Sequence, residues 1–197
     1  MYNIENGLNN LFSEEDNPQK LVDFILNFIK SVNIANNEFI SAIDSKYEII
    51  VDLEEGIKDE VPVPDAVKKV AEKSYTLVSI HNHPSGVLPT IADIIIGYKF
   101  NIKYNLNNND KGATSIKKIN PRNFNEKKLY ELTKADHITH NSIMIDFYEK
   151  YPETRTFDII SAKNSFIKYY NNNINTMINI YNIHYNPLGM IIDFIYY

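Results

Sequence analysis

Residues 76–80, TLVSI, run without interruption into His81, Asn82, His83 and Pro84. An apolar segment of that length reads as a buried strand, and strand residues i and i+2 project from one face. His81 and His83 are therefore expected to present both imidazoles to one point, with Asn82 turned away. Pro84 has no backbone donor for a sheet ladder, so it ends the strand. The chain is thereby expected to carry a buried strand whose C-terminal end, marked by the two histidines, opens onto a loop.

Beyond the loop at 85–89, TIADIIIGYKF (90–100) reads as a helix starting at Thr90, with Asp93 in its first turn. Placed there, Asp93 can point back toward the two histidines. Thr90 and Asp93 also match the S/T-x-x-D/E capping box, which marks many helix starts that have no metal nearby. Two imidazoles and one carboxylate are, equally, a common donor set for catalytic zinc, with water in the fourth position. The joint pattern, in a chain with only five histidines, favours a metal site over two unrelated features.

Composition narrows the chemistry. The absence of cysteine excludes disulfides, thiolate metal sites and a cysteine nucleophile, leaving any metal to histidine and carboxylate. It also excludes the cysteine-dependent signature of zinc nucleobase deaminases. A net charge of −5 supplies no general attraction to nucleic acid or anionic membrane. The first residues, MYNIENGLNN, lack the basic and apolar regions of a secretory leader, and no apolar run approaches the ~20 residues needed to span a bilayer. A soluble cytoplasmic protein is expected.

PQKLVDFILNFIKSV (18–32) carries the i, i+3, i+4, i+7 stripe of an amphipathic helix, with a start signal at Ser13. Strands are expected at 38–43 and 47–53, joined by Asp44, Ser45 and Lys46. The prolines of VPVPD break regular structure, and a short helix follows at 66–73. Residues 102–119 read as a hairpin turning at Asp110, Lys111 and Gly112. After Pro121, NEKKLYELTKAD, NSIMIDFYEKY and FDIISAKNSFIKYYNNNINTMINIY are all helical in character. The expected class is α/β (α+β), a mixed β-sheet flanked by helices. It divides into an N-terminal helix that packs on the core (1–35), a catalytic core (36–120) and a mainly helical C-terminal extension (121–197).

HNHPSG followed by T-x-x-D resembles the zinc motif of the JAMM, or MPN-plus, metallopeptidase family (JAB type), and in loop length it is most similar to the prokaryotic and phage-associated branches. The resemblance covers residues 36–119 and implies an MPN/JAB-like fold. It implies that His81, His83 and Asp93 ligate zinc (Zn2+), that an upstream glutamate is the general base, and that Thr90 stands where the family's serine helps stabilise the oxyanion. Two departures are visible: threonine replaces serine, and the loop is one residue shorter than in eukaryotic deubiquitinases. The base is sought among Glu38, Glu48, Glu54, Glu55 and Glu60. Glu38, opening an early strand as in the family's arrangement, is the first choice, and Glu48 on the second strand is its rival. Glu54 and Glu55 lie in an acidic turn that solvation alone explains.

His137, His140 and His184 lack a partner at diagnostic spacing, and Phe157, Phe166, Tyr170 and Tyr181 recur at near-helical spacing as core residues. The expected function is hydrolysis of an amide bond by a zinc-dependent peptidase or isopeptidase. Its substrates would be protein or peptide, such as ubiquitin-like tails or phage and toxin polypeptides. A metal-free MPN-type scaffold is the alternative. Neither nucleic acid nor membrane is an expected partner, and the sequence leaves the oligomeric state open.

Overall fold

The computed structural model describes residues 2–32, 35–57, 60–83, 90–122, 125–156 and 158–196. Two helices, α1 (Tyr2–Leu11) and α2 (Pro18–Val32), open the chain. A hairpin of β1 (Phe39–Asp44) and β2 (Ile49–Glu55) follows, then α3 (Asp65–Lys73). β3 (Thr76–Asn82), α4 (Ile91–Lys99) and β4 (Ile102–Asn109) form a crossover unit. β5 (Gly112–Lys118) completes a second hairpin, and the long helices α5 (Glu126–Lys150) and α6 (Ile159–Tyr185) lead to β6 (Met190–Tyr196).

The strands form one mixed sheet in the order β2-β1-β3-β4-β5-β6. β3 and β4 are its parallel pair and every other neighbouring pair is antiparallel. Parallel neighbours need a crossover, and α4 supplies it. Ligands in such units gather beyond the C-terminal strand ends, and here that end carries His81. Leu8 of α1, Phe12 just after it, and Leu21 and Ile25 of α2 pack with Ile80, Tyr104 and Leu106. Ile94 and Tyr98 of α4 share another apolar cluster with Leu132, Phe147, Tyr169, Met177 and Ile192. Val67 of α3 joins Ile40, Ala42, Val51 and Ile102 in a third. The class is thus α+β with a helical C-terminal region.

The structure departs from the sequence reading at five places, the first being that α2 begins at Pro18 while Ser13, read as a start signal, lies in the turn after α1. α1 was not expected as a separate helix. Tyr47, expected in a strand, has φ 63° and sits in the turn, where the Asp44 carboxylate accepts from the backbone N–H groups of Lys46 and Glu48. The helices expected on either side of His137 and His140 are one helix, α5, because both histidines lie on its exposed face. The tail does not end as a helix: MIIDFIY forms β6 along β5. The ladder brings Gly112 against β6, and a Cβ there would run into the Ile195 carbonyl. Gly112→Ala is expected to cost about 1–3 kcal/mol, read as a lower denaturation midpoint, and an unchanged midpoint would contradict this packing. Phe166, Tyr170 and Tyr181 do belong to the core; Phe157, Pro84 and the 85–89 loop lie outside the described residues.

Burial raises the phenol of Tyr170 to about 12 and pushes Tyr104, Tyr169, Tyr181 and Tyr185 up further. A folded-state pKa above the unfolded one gives stability that is intact below about pH 10 and lost as pH rises through the folded value. Ionisation of these five tyrosines, followed by ultraviolet absorbance, is expected to coincide with loss of helical signal. Ionisation of every tyrosine before any unfolding would contradict the burial of these rings.

Candidate metal centre

Sheet register gathers the site. His81 pairs with Ile40 on β1 and with Asn107 on β4, so all three side chains share one face. The β1–β3 register ends at Ile40 and His81 and, continued two residues further, would set Glu38 opposite His83. The His83 backbone N–H donates to the Asn108 carbonyl at 2.7 Å, which holds the residue to β4 just past the end of β3. α4 then returns Asp93 over this strand end, with Thr90 at its N-cap.

The donor atoms converge. His81 Nε2 stands 3.0 Å from His83 Nε2 and 3.0 Å from Asp93 Oδ1, and His83 Nε2 stands 3.7 Å from Asp93 Oδ2. All three residues are buried, and among the described residues they form a group whose ligand atoms lie within 4.8 Å of one another. With zinc bonds of about 2.0–2.1 Å, neighbouring ligand atoms of a tetrahedral centre stand ~3.3 Å apart. The separations observed straddle that value, so this donor set fits one small divalent ion.

Thr90 donates to Asp93 Oδ2 twice, from its backbone N–H at 2.6 Å and from its hydroxyl at 2.9 Å. The predicted cap and the predicted ligand are therefore one carboxylate, Oδ2 turned to the helix start and Oδ1 to His81. Threonine's hydroxyl proton is engaged with Asp93 here, so its visible work is to orient that carboxylate. Asn105 Nδ2 donates to the Asp93 carbonyl at 2.9 Å and ties the same turn to β4. Burial opposes the charge on Asp93. The hydrogen bond from His81, attraction to both imidazole rings and the Thr90 N–H outweigh it and hold the carboxyl at about 2. The cluster thus keeps a negative ligand facing two nitrogen donors, the arrangement a cation needs.

Of the candidate bases, Glu38 and Glu60 line the cavity of about 330 Å3 that opens onto His81, His83, Thr90 and Asp93. Glu38 is largely buried, at 9% exposure, whereas Glu60 is exposed. Glu48 lies at the opposite end of the hairpin, where its carbonyl accepts from Asp44 and Asp44 pairs with Thr76. Five residues along β3 put it on the order of 16 Å from His81. Glu54 and Glu55 are exposed on β2, and Glu55 accepts from the Asn37 side chain. The rest of the cavity lining is largely aliphatic: Ile40, Val61, Val63, Val67, Ile96 and Ile102.

Two asparagines at the site escaped the sequence reading. Asn82, turned away from the histidines as expected, accepts from the Phe39 N–H at 2.6 Å and donates to the Asn37 carbonyl at 3.0 Å. It thereby clamps the backbone on both sides of Glu38. Asn107 reaches both imidazoles, with Nδ2 at 2.7 Å from His81 Nε2 and 3.3 Å from His83 Nε2. His137 and His140 are exposed on α5, distant in role from this cluster, and His184 is half-buried on α6. Among the described residues no helix is long and apolar enough to cross a membrane. Comparisons with protein-family models, curated proteins and solved structures found no match for this chain.

Proposed function

We propose that this protein is a zinc-dependent metallopeptidase or isopeptidase with a JAMM-like centre, in which His81, His83 and Asp93 hold the metal and Glu38 is the general base. The observation that supports this most is the convergence of three buried ligand residues, their side-chain atoms 3.0–3.7 Å apart, in the lining of a cavity that also holds Glu38. A bound zinc would supply Lewis acidity to an amide carbonyl and make a nearby water more acidic.

The chain's own residues do the rest. Glu38, fixed by the Asn82 clamp, takes a proton from the attacking water and returns it to the leaving amine. Thr90 and Asn105 keep Asp93 aimed at the histidines, and the aliphatic wall receives an apolar side chain flanking the scissile bond while excluding water. Protein or peptide substrates suit such a cavity, and tails of ubiquitin-like proteins or polypeptides awaiting maturation are the substrates to test.

Zinc-loaded protein is expected to cleave an amide within a peptide library, with preference for an aliphatic residue beside the cleaved bond. A chelator should abolish cleavage and added zinc restore it. Cleavage that survives complete zinc removal would overturn the proposal.

A further inference from the structure

We propose that Asn107 is a fourth protein ligand of the centre, through its side-chain amide oxygen; this rests on the metal-binding reading of His81, His83 and Asp93. Asn107 is 1% exposed and lies directly beside His81 on the neighbouring parallel strand. The amide atom it turns to the cluster is 2.7 Å from His81 Nε2 and 3.3 Å from His83 Nε2. His81 in turn stands 3.0 Å from His83 and 3.0 Å from Asp93 Oδ1, so the Asn107 amide packs directly against the ligand cluster. An amide this close to both imidazole nitrogens is within reach of an ion that His81, His83 and Asp93 would hold.

The atom in that place is Nδ2, a donor facing two imidazole nitrogens, while Asn107 Oδ1 is buried with no hydrogen-bond partner among the described residues. That orientation serves the metal-free protein alone. Once His81 and His83 give their lone pairs to a cation, neither can accept a hydrogen bond, and an N–H would be left pointing at positive charge. The amide's nitrogen and oxygen ends have nearly the same shape, so a half-turn of the side chain puts the carbonyl oxygen at the metal.

Placement agrees with this role. His81, His83, Asp93, Glu38 and Thr90 line the cavity and Asn107 does not, so an ion also held by Asn107 would be five-coordinate when it takes water from the cavity side. A weak neutral oxygen on the inner side adds affinity without adding charge.

Zinc affinity by chelator competition and the visible spectrum of the cobalt(II)-substituted protein test the assignment in wild type, Asn107→Ala, Asn107→Leu and His83→Ala. Loss of the Asn107 oxygen is expected to weaken zinc binding about 10-fold or more and to change the cobalt spectrum toward a lower coordination number. His83→Ala should lose the metal. Zinc affinity and cobalt spectra identical to wild type in Asn107→Ala or Asn107→Leu would overturn the assignment and leave the three-ligand centre standing. A wild type that binds neither metal would overturn that centre itself. Should neither Asn107 variant fold, a crystal structure of zinc-loaded wild type decides. Asn107 Oδ1 within bonding distance of the ion supports the assignment, and an amide left out of its coordination shell contradicts it.

Discussion

Asp93→Ala is expected to remove the metal and loosen the start of α4 in a single substitution. One carboxylate oxygen faces His81 at 3.0 Å and the other accepts both the N–H and the hydroxyl of Thr90. Losing that capping acceptor costs about 0.5–2 kcal/mol, and leaving buried polar groups unpaired beside His81 costs a further ~1–3 kcal/mol. Zinc affinity should fall by more than the roughly 10–100-fold that loss of an outer-shell partner costs. Asp93→Asn separates the two effects, since a carboxamide still accepts from Thr90 but is a poorer ligand for the cation. Melting of the metal-free variants should therefore rank wild type above Asn above Ala, while zinc competition places both variants far below wild type. Wild-type zinc affinity in Asp93→Ala would contradict the ligand assignment.

Glu38→Gln is expected to keep its zinc and lose turnover by about 10²- to 10⁴-fold, the usual contribution of a positioned acid–base group. Glutamine fills the same space beside His83 and leaves the Asn82 clamp intact, since that clamp grips the backbone of residues 37 and 39. Glu60→Gln should change turnover far less, because Glu60 borders the cavity from an exposed position. Glu48→Gln should change nothing, given its place at the far end of β1 and β2. An active Glu38→Gln beside an inactive Glu60→Gln would transfer the role to Glu60.

The three metal-ligand candidates were legible because each is placed by local geometry. Strand alternation aligns His81 with His83, and the first turn of a helix aims Asp93 back at its own cap. Glu38 was singled out among five carboxylates only by its resemblance to the family's early-strand glutamate. Its place opposite His83 depends on the β1–β3 register, and no spacing in the sequence encodes that register. Asn107 reaches His81 across a parallel pair, 26 residues further along the chain, from within the run Asn107–Asn109 in an asparagine-rich sequence. Nothing local marks it as different from Asn108. β6 was missed for another reason: a seven-residue apolar run following a helical pattern is ambiguous by periodicity alone, and its pairing with β5 decides the matter.

The most direct measurement is the zinc content of the purified, dialysed protein, wild type beside His83→Ala. One tightly held zinc per wild-type chain, and little or none in a folded His83→Ala, is the expected result. A wild type that binds no zinc while keeping its fold would contradict the metal centre and leave the scaffold role as the better reading of this chain.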